Sequence, residues 1–200
     1  INKDENLDLV ILSNFNDYRR DRYEGRIQFY LNDGKANFEL SKNHSNKDNI
    51  EQGKLLRFND FDKDGDEDLF ILGKTHISKY PKSSKNQFLE NKNGLFIDVS
   101  NKYLNKNESI GIPKDAAWAD INNDEIDDLI IINEFSPIQI LINNNKSFKK
   151  LDNSGLENYS GWWESLKIID NDKDGDLDFF VGNLGSNNHF NISKKTPVSL

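Results

Sequence analysis

Two stretches of alternating aspartates are the part of this chain best equipped for chemistry. DFDKDGDEDL runs from Asp60 to Leu69, and DNDKDGDLDF repeats it from Asp170 to Phe179. In each, carboxylates fall at positions 1, 3, 5 and 9 of a nine-residue loop: Asp60, Asp62, Asp64 and Asp68, then Asp170, Asp172, Asp174 and Asp178. Position 7 offers the carbonyl of Asp66 or Asp176. Position 6 is Gly65 or Gly175, where a left-handed turn costs little without a Cβ. A hard cation such as Ca²⁺ takes about six to eight oxygens at about 2.3–2.6 Å, and a tight loop of alternate carboxylates supplies them. Residues 60–68 carry six acidic side chains against one lysine, so the loop repels itself unless a cation is bound. A single run of this kind reads as a solvated face. Its recurrence points to calcium.

Two weaker copies extend the series. DINNDEIDDL, from Asp120 to Leu129, offers Asp120, Asn122, Asp124, the Ile126 carbonyl and Asp128, with Glu125 in place of glycine. A left-handed residue with a Cβ costs about 1–2 kcal/mol, and Asn122 replaces a charged ligand with a neutral one. The chain opens inside a fourth copy, which has Glu5 at position 6 and lacks position 1, leaving Asn2, Asp4, Asn6 and Asp8. The expectation is two strong calcium sites and one or two weaker ones.

The elements that position these loops are strands. An EF-hand needs a bidentate Glu at position 12 and flanking helices; position 12 here is Ile71 or Val181. Each loop is followed by a short apolar run (LVILSN, LFILG, LIIIN, FFVGN) rich in β-branched and aromatic residues, the mark of a buried strand. Strands also precede the loops: KLLRFN (54–59), DAAWA (115–119) and GWWESLKII (161–169). The calcium loop therefore joins two strands and acts as a staple, not as a moving sensor. Third and fourth strands form hairpins, through Asp33-Gly34 and Asn93-Gly94, which favour two-residue primed turns, and more weakly through residues 143–146. No amphipathic helix is visible, and the connectors 42–53 and 100–113 hold few apolar anchors.

Position 9 recurs at Asp8, Asp68, Asp128 and Asp178, intervals of 60, 60 and 50 residues, the size of a four-stranded propeller blade. The fold class expected is all-β, with blades at about 1–41, 54–100, 115–152 and 161–200 in one propeller region, the first and last incomplete. PVSL at the end either opens a further blade or supplies the strand missing before Ile1. The first alternative is preferred, since an open ring leaves strand edges uncovered. With no methionine in its 200 residues, the chain is expected to be a piece of a longer protein.

Composition narrows the function. A net charge of −8 argues against nucleic acid as a partner, no apolar run approaches a membrane span, and zero cysteines leave bracing to metal or packing. His44, His76 and His189 show no paired spacing, and no nucleophile elbow, zinc-protease or phosphate-loop motif occurs. The lysines of 78–86 read as loop residues, and the N-x-[ST] triplets are what so Asn-rich a chain produces by chance. Alternation places Trp162 and Trp163 on opposite strand faces, one packed between blades and the other open to a sugar or protein.

The pattern D-x-[DN]-x-[DN]-G-x-x-D-[LF] with its apolar strand resembles the FG-GAP or VCBS repeat of integrin-α-like propellers. AAWADINNDEIDDLIIIN, NQFLENKNGLFIDVS and GWWESLKIIDNDKDGDLDFFVGNLGSNN are similar to the bacterial branch related to cartilage acidic protein. The resemblance implies Ca²⁺ on Asp60, Asp62, Asp64, Asp66 and Asp68, and on Asp170, Asp172, Asp174, Asp176 and Asp178. It implies a seven-bladed whole and an extracellular or cell-surface, non-catalytic scaffold for adhesion to protein or glycan ligands. The alternatives are a propeller-type polysaccharide lyase or hydrolase with structural calcium, and a regulatory calcium sensor.

Overall fold

The computed structural model describes residues 1–12, 27–41, 53–75, 80, 85–104 and 111–185. Backbone contacts divide the chain into two compact units, Ile1–Lys74 with Ser84–Lys106 and Thr75–Ser83 with Asn107–Leu200. The chain is all-β. Its one described helix is a single turn, and no helix among the described residues is long and apolar enough to cross a membrane.

The first unit holds two antiparallel sheets. One contains β1 (Leu9–Leu12), β2 (Ile27–Asn32) and β3 (Phe38–Leu40) in that order. The other contains β4 (Gly53–Asn59), β5 (Asp68–Gly73), β6 (Gln87–Lys92) and β7 (Leu95–Asp98). The apolar run after the 60–68 loop is β5, whose six residues are all buried. A strand covered on both faces has no need of polar alternation. Ile27 and Phe29 meet Leu69, Ile71, Leu89 and Phe96 in one cluster, where Phe29 stacks on Phe96 at 4.7 Å. Each such side chain stabilises the fold by about 1.5–3 kcal/mol.

Phe61, at position 2 of the loop, lies edge-on to Phe88 at 5.4 Å and to Tyr103 at 5.0 Å. Tyr103 ends the one-turn helix α1 (Ser100–Tyr103) and is 1% exposed. The connector 100–113 therefore carries a strong apolar anchor, contrary to the sequence expectation.

In the second unit, β8 (Ile112–Ala119), β9 (Asp128–Pro137), β10 (Gln139–Asn143) and β11 (Phe148–Lys150) form an antiparallel four-stranded set. β12 (Ser160–Ile169) and β13 (Asp178–Asn183) extend the same sheet. Strand β8 starts three residues earlier than the sequence suggests, at Ile112, and β9 continues past its apolar run to Pro137. Phe135 takes φ +56°, and at Glu134 the pairing of β9 passes from Ile112 of β8 to Trp162 of β12. Ala119, Ile130, Ile132, Ile138 and Ile140 form the core here, with Trp163, Leu166 and Val181 packed on it.

The hairpins differ in kind. Asn93-Gly94 is the two-residue turn expected, between Lys92 and Leu95, with φ +55° and +86°. Asp33-Gly34 is not: Asn32 pairs with Phe38, so residues 33–37 form the loop. The Asp33 carboxylate accepts from the amides of Lys35 and Asn37, which closes a wider turn. Residues 42–52, the three histidines, the N-x-[ST] triplets at 43–45 and 107–109, and PVSL lie outside the described residues.

Candidate metal centre

All four aspartate loops share one backbone geometry. Position 4 is left-handed in each (Lys3 φ +61°, Lys63 +60°, Asn123 +58°, Lys173 +62°), a requirement that no glycine advertises in the sequence. Position 6 is left-handed too, at Glu5 (+67°), Gly65 (+91°), Glu125 (+65°) and Gly175 (+99°). Glu5 and Glu125 thus adopt the strained conformation that glycine makes easy. Short-range bonds hold the turns. Position 5 accepts from the amide of position 7 in every copy: Asn6 to Asp4, Asp66 to Asp64, Ile126 to Asp124 and Asp176 to Asp174.

In the 60–68 loop the carboxylates of Asp60, Asp62 and Asp68 bring one oxygen each within 4.8 Å of one another. Asp62 and Asp64 form a second such group with Glu90, which comes from β6. Asp62 Oδ1 is buried with no hydrogen-bond donor. Burial pushes Asp62 up to about 6, helped by its hydrogen bond with Glu90. Burial opposes the Glu90 charge as well, but Lys92 and the same hydrogen bond hold it below the ordinary glutamate value. Burial likewise pushes Asp68 up to about 7. The side chain of Asp66 is turned to Lys3, with which it forms an ion pair. Its carbonyl is what remains for a ligand.

Asp170, Asp172 and Asp174 form the third group of this kind among the described residues, and Asp170 Oδ1 is again buried without a donor. Asp176 hydrogen-bonds Asp174, which raises its own carboxyl. Asp178 accepts from the Asn171 amide at 3.1 Å. Orphaned carboxylate oxygens inside clusters of hard anionic donors suit a hard divalent cation. The residues present fit calcium.

The weaker copies satisfy themselves differently. Asn122 Nδ2 donates to Asp124 Oδ2 at 3.0 Å, and Asn2 Nδ2 to Asp4 Oδ2 at 2.9 Å. An amide hydrogen thus meets an oxygen that a cation would need. Asp120 accepts from the amides of Asp124 and Glu125 just as Asp60 does from those of Asp64 and Gly65, and Asn6, at position 7, sits beside Gly34.

Position 9 has a second role that the spacing did not reveal. Asp68 Oδ2 accepts from the Phe61 amide at 3.2 Å and Oδ1 from the Asn91 amide at 2.7 Å. Asn91 Nδ2 then donates to the Glu67 carbonyl, and its Oδ1 accepts from Gly94 in the hairpin turn. Asn143 repeats this with Asp128, Asp127 and Asn145, and Asn32 with Asp8, Leu7 and Gly34. The backbone nitrogen of Ile1 lies 2.9 Å from Asp8 Oδ2, where Phe61 and Ile121 approach their aspartates. An Asn at or next to the end of the third strand, just before the turn, in the three described hairpins is the signal that was available.

The sequence also did not assemble a cluster in the second unit. Lys114 Nζ lies 3.1 Å from Glu134 and 3.0 Å from Glu164, and the Tyr80 hydroxyl donates to Glu134 at 3.3 Å. Burial works to lower Lys114, but Glu164 and Glu134 outweigh it and hold the amine above the ordinary lysine value. Burial and Glu134 raise Tyr80. Neither group is a base at neutral pH. Trp163 packs on the core and donates Nε1 to the Ser136 carbonyl, while Trp162 lies edge-on to Phe135 with Lys114 5.9 Å from its ring.

A family model described as the FG-GAP-like repeat matches residues 60–131 and again 120–181, which together span more than half of the chain. No curated protein matches it.

Proposed function

This chain belongs to the FG-GAP-like repeat family, and from that premise we propose that it forms calcium-braced β-propeller blades acting as a non-catalytic binding scaffold outside the cell. The blades are those at 1–41, 54–100, 115–152 and 161–200. Its ligand is a protein or a glycan, recognised by surface loops.

The observation that carries the calcium reading is the pair of buried, donorless oxygens, Asp62 Oδ1 and Asp170 Oδ1, each in a cluster of three carboxylates. Calcium there removes repulsion among the loop carboxylates and ties together the strands on either side. Its role is structural. Extracellular calcium modules bind at about 10⁻⁴–10⁻³ M, which matches calcium outside a cell and supports the extracellular placement. The Lys114 cluster has residue types that a polysaccharide lyase or hydrolase could use. Its ion pairs keep the amine protonated, which favours a structural staple over a catalytic base.

The test is a thermal melt in millimolar Ca²⁺, in excess chelator, and in Mg²⁺. Two sites at hundredfold saturation add about 5 kcal/mol to the folded state. A large rise specific to calcium supports the reading, and equal melts in all three solutions refute it. Release of unsaturated or reducing sugar ends from a polysaccharide panel would instead establish the enzyme.

A further inference from the structure

In the two other hairpins that carry the asparagine tie, the residue before the asparagine is apolar: Leu31 before Asn32 and Ile142 before Asn143. In β6 that place belongs to Glu90, before Asn91. Glu90 is 7% exposed as a residue, and its carboxylate joins Asp62 and Asp64 within 4.8 Å. A carboxylate buried there worsens the repulsion of a loop that already holds six acidic residues against one lysine. Lys92 Nζ reaches Glu90 at 2.6 Å, but it is half exposed and does not touch the aspartates through any bond described.

Asp62 belongs to both carboxylate groups of this loop, and its buried Oδ1 has no donor. Asp62 therefore stands where loop and strand carboxylates converge, and one of its oxygens is buried and unfilled. Around 170–178, Asp170, Asp172 and Asp174 converge without a strand-borne carboxylate among the described residues.

We infer that Glu90 is a further ligand of the cation held by the 60–68 loop and makes that site the tighter of the two strong ones. The inference rests on the calcium reading above. Affinity in oxygen-ligand sites rises with the number of charged ligands and with rigidity, and Glu90 adds one charge from a paired strand.

Calorimetric titration of Ca²⁺ into the metal-stripped chain tests it, with Glu90→Gln, Glu90→Leu and Asp170→Asn as variants. The expected result is two affinity classes in the parent chain. Glu90→Gln weakens the tighter class by about tenfold or more, the range for lost metal-site partners, and Asp170→Asn removes the looser class alone. Melts in chelator provide a second readout. Removing a carboxylate from the cluster leaves both Glu90 variants at least as stable as the parent chain. A glutamate kept only for Lys92 gives the opposite sign. Wild-type affinity in Glu90→Gln, or lower melts of both variants in chelator, overturns the assignment of Glu90 alone. A parent chain that takes no calcium overturns the calcium reading, and this inference with it.

Discussion

Replacing Asn91 by alanine isolates the asparagine tie from any metal. Asn91 is 4% exposed, and its side chain makes two bonds: it donates to the Glu67 carbonyl at 3.1 Å and accepts from Gly94 at 2.7 Å. Gly94 is buried in the turn, so its amide loses a partner that water does not replace, at about 1–3 kcal/mol. Glu67 is exposed, and its carbonyl can turn to solvent, leaving a net loss of about 0.5–1.5 kcal/mol. The sum is about 3 kcal/mol. For a chain of this size that lowers the melting temperature by about 6–12 °C. The assay is a thermal melt in chelator, followed by circular dichroism. Asn143→Ala, whose parent side chain is 0% exposed, should fall as far, and Asn32→Ala, at a more exposed position, clearly less. A shift below about 2 °C for Asn91→Ala, or equal shifts for all three variants, refutes the reasoning.

Four further outcomes follow from the loops and their supports. Gly65→Ala meets no atom within 4 Å but must keep φ +91°, so it should cost about 1–2 kcal/mol in urea denaturation. Glu125→Gly, at φ +65°, should gain up to about 1 kcal/mol in the same assay. The raised carboxyls of Asp62, about 6, and Asp68, about 7, make the metal-free fold bind more protons than the unfolded chain. Its stability from these groups is full below their unfolded value near 4 and is lost as pH rises toward 7. Calcium needs both ionised, so the melting-temperature gain on adding calcium should be larger at pH 8 than at pH 5.5, and a pH-independent gain contradicts the assignment. Tyr103→Ala empties a fully buried site beside Phe61 and should cost about 3–5 kcal/mol in chemical denaturation. A loss under about 1 kcal/mol would show that the connector is not anchored there.

Much of this architecture was legible because it repeats. An apolar run after every aspartate loop marked β5, β9 and β13, and Asn93-Gly94 named its own turn. Asp33-Gly34 misled because turn type depends on the partner register, and the Asp33 side chain stabilises a wider loop. The position-4 residues gave no warning, since Lys and Asn enter the left-handed region without the marker that glycine supplies. Within the site, spacing placed the loop oxygens but not Glu90, which arrives from a strand more than twenty residues away. Long-range partners of that kind are set by strand pairing. The Lys114 cluster draws on residues 80, 114, 134 and 164, and no local pattern joins them.

The carboxylate at position 9 takes amides from its own loop and from the third strand of the sheet. The polypeptide's own amides thereby tie the loop to the sheet. The glutamate-bearing copy at 120–128 keeps the same left-handed turns and places the Asn122 amide on Asp124. Gene duplication acting on such a blade yields a mosaic in which neighbouring copies share a scaffold and differ in the oxygens they offer.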